Sequence, residues 1–514
     1  MGYWHKQRLE KLIMQTAIKA MPLLIALLWV PAQVMAQEPA NPQQEAIQKL
    51  QTKMEEMQAR MAAMQAELDA LHGTANLSHE ITDLKTVPQA LETGSIESTM
   101  PPLPPAVKVT PEQQETAVGK ETADYVTFSD ESEPVPRLWN VPLESKMPGF
   151  FVLPGTQTML RINGNFKTDL MYDPRPAGFQ DAFIPSTIPV PQTSSTNNFN
   201  ASVRESRFST DFRIPVDGIG TARLFMQMDF FGSNGATTPR LRHLYAQVGN
   251  ILVGQTNSNF MDPDAWPDIV DFWGPSSGLL ARIPQLRYSF MLGKGWSAAA
   301  SVEQPDSDIR FSVNGAQAVP VTPAPDVALH VRYETQRGHI MLATVLRNLA
   351  ANLPTTGQQE NAFGWGLSFT STWRAFGRDT INYQVAYGNG IARYGGDTGG
   401  LGLDAAPRSE TDLTLKALPM FAPWVSYQHW WARSVRSSAT FGLAQIQNTE
   451  FQPGNTYHKS TYSSANIIWN AIGSLDFGAE FLYGWVEEKN GAHANAPRFQ
   501  FSGRYTFVKL HPDE

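Results

Sequence analysis

The sequence predicts an all-β protein: a sixteen-stranded antiparallel transmembrane β-barrel with an N-terminal periplasmic coiled-coil helix. Three features predict it. Apolar and polar residues alternate in segments of about ten residues, short and long connections alternate between these segments, and the chain begins with an export signal. Because successive side chains of a strand point to opposite faces, each segment is apolar on one side and charged on the other. In a membrane barrel the apolar side faces lipid and the charged side lines a wet lumen.

Residues 1–36 have the pattern of a secretory signal peptide. The basic residues at its start are Lys6, Arg8, Lys11 and Lys19. The apolar stretch that follows, Met21 to Val34, is short for a membrane span, and Val34-Met35-Ala36 fits a cleavage site. We therefore expect cleavage after Ala36, with an uncleaved membrane anchor as the alternative. The chain contains no cysteine, so an exported form would gain no stability from disulfides.

Residues 37–73 are predicted to form a coiled-coil oligomerisation segment. Its apolar residues are spaced alternately three and four positions apart, as in a seam between supercoiled helices. The seam consists of Ile47, Leu50, Met54, Met57, Met61, Met64, Leu68 and Leu71. A lone amphipathic helix on a surface is the alternative. Half of the seam is methionine, whose flexible side chain specifies helix number poorly, so the seam leaves a dimer and a trimer open.

Residues 74–154 have the composition of a Pro-rich acidic linker. They include Pro101-Pro102-Leu103-Pro104-Pro105 and scattered acidic residues, with little periodicity. Such a stretch favours extended conformations over a packed core. It would let the coiled coil stand away from the following domain. The transmembrane β-barrel is then predicted to occupy residues 155–514.

The barrel domain divides into sixteen predicted strands. Their approximate spans are 158–172, 201–214, 219–231, 240–249, 250–257, 284–292, 294–304, 325–335, 338–350, 362–374, 379–389, 408–418, 423–434, 460–472, 474–487 and 496–508. Tight links such as Asp217-Gly218 and Gly249-Asn250 alternate with long ones, as periplasmic turns alternate with external loops. Two further strand-like segments, 307–314 and 437–449, are placed within long loops. A soluble β-sandwich would bury the same aromatic residues, and it remains the alternative.

The polar faces of the first strands carry the predicted pore-lining and selectivity residues. These are Arg161, Lys167, Arg207, Arg213, Arg223 and Arg287. They come from predicted strands 1, 2, 3 and 6, which should lie close together in the barrel wall, and a concave wall of low dielectric concentrates anions near such charges. The barrel domain has 22 Arg and 6 Lys, and Arg suits carboxylates and phosphates. The alternative is that Glu205, Asp211 and Asp229 pair with these residues and leave no net field.

The link 258–283 is predicted to fold into the barrel mouth as a constriction loop. It carries several large apolar residues, which a solvated loop seldom does, and four acids. These acids are Asp262, Asp264, Asp268 and Asp271. We expect them to face the arginine wall and narrow the path, while calcium binding is an alternative use of clustered oxygen ligands. No motif for a catalytic nucleophile, a catalytic metal or a phosphate-binding loop is present, so neither an enzyme nor a cofactor is predicted.

Several motifs resemble the DcaP-like family of Gram-negative outer-membrane porins. The most specific is Gly254-Gln255-Thr256-Asn257-Ser258-Asn259-Phe260-Met261-Asp262-Pro263-Asp264-Ala265, followed by Arg282-Ile283-Pro284-Gln285-Leu286-Arg287-Tyr288; Leu160-Arg161-Ile162-Asn163-Gly164 also looks like the family. The resemblance implies a homotrimer of sixteen-stranded barrels that passes small anionic solutes such as dicarboxylates. The C-terminus departs from that of many outer-membrane barrels, which end in Phe. Here Phe507 is followed by Val508 to Glu514.

The predicted function is a diffusion porin for small hydrophilic, preferentially anionic, dicarboxylate-like solutes. We expect it in the Gram-negative outer membrane, with its N-terminal segment in the periplasm. The predicted partners are outer-membrane lipid, small anionic solutes and two further copies of the chain. Binding of nucleic acid is not predicted. The alternative is a structural anchor whose coiled coil tethers the outer membrane to the cell wall, with peptidoglycan as a partner. A barrel enzyme and a secreted β-sandwich binding module are the other rivals.

Overall fold

A computed structural model describes residues 149–192, 196–216, 220–232, 235–354 and 356–507. The predicted signal peptide, the coiled-coil seam, nearly all of the linker and the turn at Asp217-Gly218 lie outside these residues. Between Met159 and Thr506 the chain forms sixteen long antiparallel strands. They are β1 (Met159–Asp173), β2 (Arg207–Val216), β3 (Gly220–Asp229), β4 (Arg240–Val248), β5 (Ile251–Asn257), β6 (Arg282–Gly293), β7 (Trp296–Glu303), β8 (Asp326–Thr335), β9 (Gly338–Asn352), β10 (Gln359–Arg374), β11 (Thr380–Asn389), β12 (Pro419–Ala432), β13 (Val435–Ile446), β14 (Tyr457–Ile472), β15 (Leu475–Glu488) and β16 (His493–Thr506).

The strands close into a barrel. Each strand pairs with the next along the chain, and β1 also pairs with β16, with Phe166 opposite Tyr505. Short turns connect the strands at one end and long loops at the other; in this fold the short turns face the periplasm. The confirmed fold class is therefore a closed sixteen-stranded antiparallel barrel.

Shorter elements extend the wall or lie in the long loops. Phe151–Val152 and Asn198–Ser202 pair with β1, and Val319–Val321 pairs with β9. Two small ladders join Ser312–Val313 to Ala316–Gln317 and Ala405–Pro407 to Leu415–Ala417; the 3₁₀ turns are Pro185–Thr187, Pro263–Ala265 and Ala392–Tyr394. In the part of the chain that the structure describes, no helix has the length and apolar character needed to cross a membrane.

The predicted number of strands was right, but one strand was assigned to the wrong segment. Residues 408–418 lie in a loop, where Leu415 packs inward instead of facing lipid. The missing strand is β13, in a segment that had been placed in a loop. Its outward face includes Ser437, Ala439 and Gln445, so its alternation is too weak to read from hydropathy. Pairing with β12 and β14 makes it a strand regardless.

The two faces of the wall differ as the alternation predicts. Outward side chains are large and apolar, and Leu286, Leu342 and Phe501 each remain more than half exposed. A soluble protein does not leave a continuous belt of such residues in water, whereas lipid solvates it. Inward side chains are small, polar or charged, such as Ser368 and Arg498. The core of the molecule is therefore inside the barrel, where the long loops pack against the wall.

Candidate functional site: the lumen and its constriction

The loop between β5 and β6, residues 258–281, folds into the lumen. Its large apolar residues Phe260, Trp266 and Ile269 are almost fully buried. The wall has glycine at two inward positions that the loop approaches: a Cβ at Gly366 would lie 2.9 Å from Phe260, and one at Gly442 would lie 2.8 Å from the loop residue Ser277. The constriction loop therefore contacts the wall closely, as its apolar composition predicts.

Two of the loop acids bind the wall at β8 and β9. Asp262 lies 2.8 Å from His339 Nε2 and 3.4 Å from an Arg332 nitrogen. Asp264 lies 2.7 Å from the other terminal nitrogen of Arg332. Thr370 also donates to Asp262, at 2.5 Å. These carboxylates hold the start of the loop to the wall at β8–β10.

The other two acids anchor the middle of the loop. Asp268 accepts hydrogen bonds from Arg436 Nε at 2.6 Å and from Gln428 at 2.7 Å, both on the wall. Asp271 accepts from the backbone N–H groups of Phe183, Trp273 and Gly274; burial raises the pKa of its carboxyl, against these hydrogen bonds.

The prediction that the four acids face the arginine wall was wrong. Each of the four carboxylates instead anchors the loop, because a buried carboxylate needs a cation or several N–H groups close to it. Within the described residues, no group of three or more His, Asp or Glu side chains is placed to hold a metal ion.

Aromatic side chains of the loop face the arginine wall instead. The ring of Phe272 lies 5.8 Å from the guanidinium carbon of Arg240, 5.9 Å from that of Arg242 and 6.0 Å from that of Arg207. Beside it a cavity of about 140 Å³ is lined by Arg240, Phe272, Trp273, Leu280 and Arg282. A narrow cavity therefore separates an aromatic part of the loop from a cationic part of the wall.

Near the external mouth, one carboxylate of the described residues binds two guanidinium groups. Asp229, which is fully buried, accepts from Arg240 Nε at 2.9 Å and from Arg242 at 3.0 Å. The positive charge of Arg207 also lies close enough to attract the carboxylate of Asp229. The side chain of Arg240 is 35% exposed, so it combines an anchored end with access to the lumen.

A second group of arginines lies near the periplasmic end. Asp211 accepts from Arg161 at 3.5 Å, from Arg213 at 2.9 Å and from Arg223 at 2.9 Å. The ring of Phe150 lies 4.9 Å from the guanidinium carbon of Arg161. Among the described residues at this end of the barrel, one carboxylate thus serves three guanidinium groups.

Two of the predicted pore-lining residues, Lys167 and Arg287, hold the loop and the wall together. Lys167 contacts Glu205 and Asp169 and donates to the backbone oxygen of Val270 at 2.6 Å, so it holds the constriction loop. Arg287 donates to Gln285 Oε1 at 2.9 Å and to a backbone oxygen of β5 at 2.5 Å. Both are buried in the wall, so they contribute charge without offering an open contact.

Two irregularities explain why Arg240, Arg242 and Arg436 were not predicted to lie in the lumen. Arg240 and Arg242 are not among the predicted pore-lining residues, and by strict strand alternation Arg242 and its neighbour His243 would lie on opposite faces. A register shift after Gln227 brings both Arg242 and His243 to the inner face, as a bulge does. Arg436 was missed together with β13. No signal in the sequence alone would have located the bulge.

The chain is similar to known proteins in sequence and in fold. The family model described as DcaP outer membrane protein matches residues 152–507. The crystal structure of the outer membrane channel DcaP of Acinetobacter baumannii is similar, with a TM-score of 0.62 and 20% identity over 70% of this chain and 100% of that chain. An anion-selective porin from Comamonas acidovorans gives a TM-score of 0.45 and 10% identity over 68% of this chain and 100% of that chain. No curated protein matches the chain.

Proposed function

The chain belongs to the DcaP outer membrane protein family, and from this premise we propose that it is a diffusion porin for small, preferentially anionic solutes. Solutes would pass down their gradient through the space between the constriction loop and strands β1–β6, without a cofactor. The preferred class would be dicarboxylate-like, since two carboxylates can engage successive guanidinium groups.

The excess of arginine over acid on this strip of the wall carries the proposal. Asp229 and Asp211 each receive more than one guanidinium group, and the loop acids Asp262, Asp264 and Asp268 bind side chains of β8, β9 and β13 instead. A fixed positive field in a narrow, low-dielectric passage raises the local concentration of anions. Arg adds planar donors that match carboxylates geometrically.

We expect succinate to interrupt the current through single channels of the purified protein in planar bilayers. Succinamide, which has the same carbon skeleton and no charge, is the matched solute. The proposal predicts concentration-dependent interruptions with succinate and none with succinamide. Equal effects of the two solutes, or an effect of neither while a cationic diamine blocks, would contradict the preference for anions.

For the N-terminal segment we propose a periplasmic coiled coil that assists assembly into a homotrimer. Removal of residues 37–148 separates this role from the tether alternative. We expect the shortened protein to conduct with unchanged selectivity and to show a lower yield of trimers on native gels. A tether to the peptidoglycan would instead be indicated by normal trimers combined with a detached, leaky outer membrane in cells.

A further inference from the structure

A second loop supports the constriction from the external side. Residues 394–397, in the loop between β11 and β12, run antiparallel to the end of the constriction loop. Leu280 N donates to Tyr394 O at 2.8 Å, Gly396 N to Gly278 O at 2.8 Å, and Asp397 N to Ser276 O at 3.2 Å. A Cβ at Gly396 would lie 3.0 Å from Trp273 Nε1. This short ladder therefore holds Trp273 and Leu280, which line the narrow cavity.

The carboxyl of Asp397 fixes this ladder to two other parts of the barrel. Its Oδ2 accepts from Ser460 Oγ on β14 at 2.6 Å and from the backbone N–H of Ser186 at 3.1 Å. The residue is almost fully buried, and among the described residues Oδ1 is a buried oxygen that accepts no hydrogen bond. Asp397 therefore connects three loops to one another and to the wall.

No cation balances this carboxyl within the described residues. The groups that face it are Ser186 from the first long loop, Ser460 and the hydroxyl of Tyr457 from β14, and the acid Asp271 from the constriction loop. Arg498 lies near Asp271 but is bound to Asp173. An ionised Asp397 is therefore a buried anion beside a second acid, and this arrangement costs free energy.

We propose that Asp397 is a positioning residue of the constriction, whose neutral form keeps the ladder docked and whose ionised form loosens it. The inference rests on the proposed channel function. Burial raises the pKa of the Asp397 carboxyl from 3.8 to about 7, against its two hydrogen bonds. Since the docked state holds the proton more tightly than the undocked state, docking weakens as the pH rises from about 4 to about 7 and then becomes constant.

The test is single-channel recording of the full chain across this pH range, with Asp397→Asn as the variant. For the wild type we expect current fluctuations of the constriction to become more frequent as the pH rises, by up to about tenfold for each pH unit below the raised pKa. Asn is neutral at every pH and of similar shape, so the variant should keep the quiet behaviour of low pH throughout. Asp412→Asn, an exposed acid in the same loop, is the matched control and should follow the wild type.

The outcomes separate this inference from the proposed function. A channel that conducts anions but keeps the same pH profile after Asp397→Asn would overturn the role of Asp397 alone. A flat wild-type profile would do the same. Absence of conductance in all variants would count against the channel itself. If Asp397→Asn fails to fold, Ser460→Ala removes the hydrogen bond that favours the ionised form, and it should shift the transition to higher pH; an unshifted transition would overturn the role.

Discussion

Replacing Arg240 and Arg282 together by Gln is expected to lower the chloride-over-potassium permeability ratio about tenfold. Both residues line the narrow cavity, and Gln keeps hydrogen-bonding capacity while removing the charge. Each lost charge weakens a potential that amounts to several kT in such a passage. The measurement is the reversal potential of reconstituted channels in a KCl gradient.

Arg287→Gln is the control for the position of these charges. It removes one charge from the same wall, where the double variant removes two, and Arg287 is buried and bound within the wall, away from the cavity lining. We expect a smaller change in selectivity from this variant than from the double substitution. If Arg287→Gln alters the permeability ratio as much as the double variant, the narrow cavity is not the point of selection.

Asp268→Ala is expected to release the middle of the constriction loop and increase the conductance. The Asp268–Arg436 pair, at 2.6 Å, has both side chains at most 2% exposed. Breaking one partner of such a pair costs about 3–5 kcal/mol, because the remaining charge stays buried. The loop would move to let water reach Arg436, and the passage would widen. Single-channel conductance and the loss of discrimination between small and large solutes measure this effect.

Two further variants serve as controls for the effect of Asp268→Ala. In Asp268→Leu with Arg436→Met, no buried charge is left unpaired, so this double variant should be closer to the wild type than Asp268→Ala alone. Asp264→Ala should also have a mild effect, because Arg332 keeps Asp262 as a partner. Wild-type conductance in Asp268→Ala would show that the apolar contacts of the loop hold it without this ion pair.

The wall could be predicted from the sequence because each strand carries its own pattern. In β9, outward Leu342 and Leu346 alternate with inward residues, so the segment identifies itself without knowledge of its neighbours. The pattern fails where lipid-facing positions are small or polar, as at Ser437 in β13. It also fails at the bulge near Gln227, where one extra residue reverses the parity of Arg240 and Arg242.

The constriction could be predicted only in outline, because its details depend on contacts between distant residues. The apolar residues of the loop indicated that it is buried. The partners of its acids did not follow from the sequence: Asp268 and Arg436 are 168 positions apart. A buried carboxylate seeks the nearest cation or N–H groups, and the folded barrel determines where those are. The same holds for Phe272, whose aromatic ring, instead of a carboxylate, faces the arginines.

The measurement that tests the account most directly is the reversal potential of the unmodified protein in a KCl gradient across a planar bilayer. We expect stable conductance and a reversal potential that favours chloride, because the cationic strip along β1–β6 lines the cavity through Arg240 and Arg282, while the loop acids Asp264 and Asp268 are bound to Arg332 on β8 and Arg436 on β13. A reversal potential that favours potassium would contradict the assignment of that strip as the path.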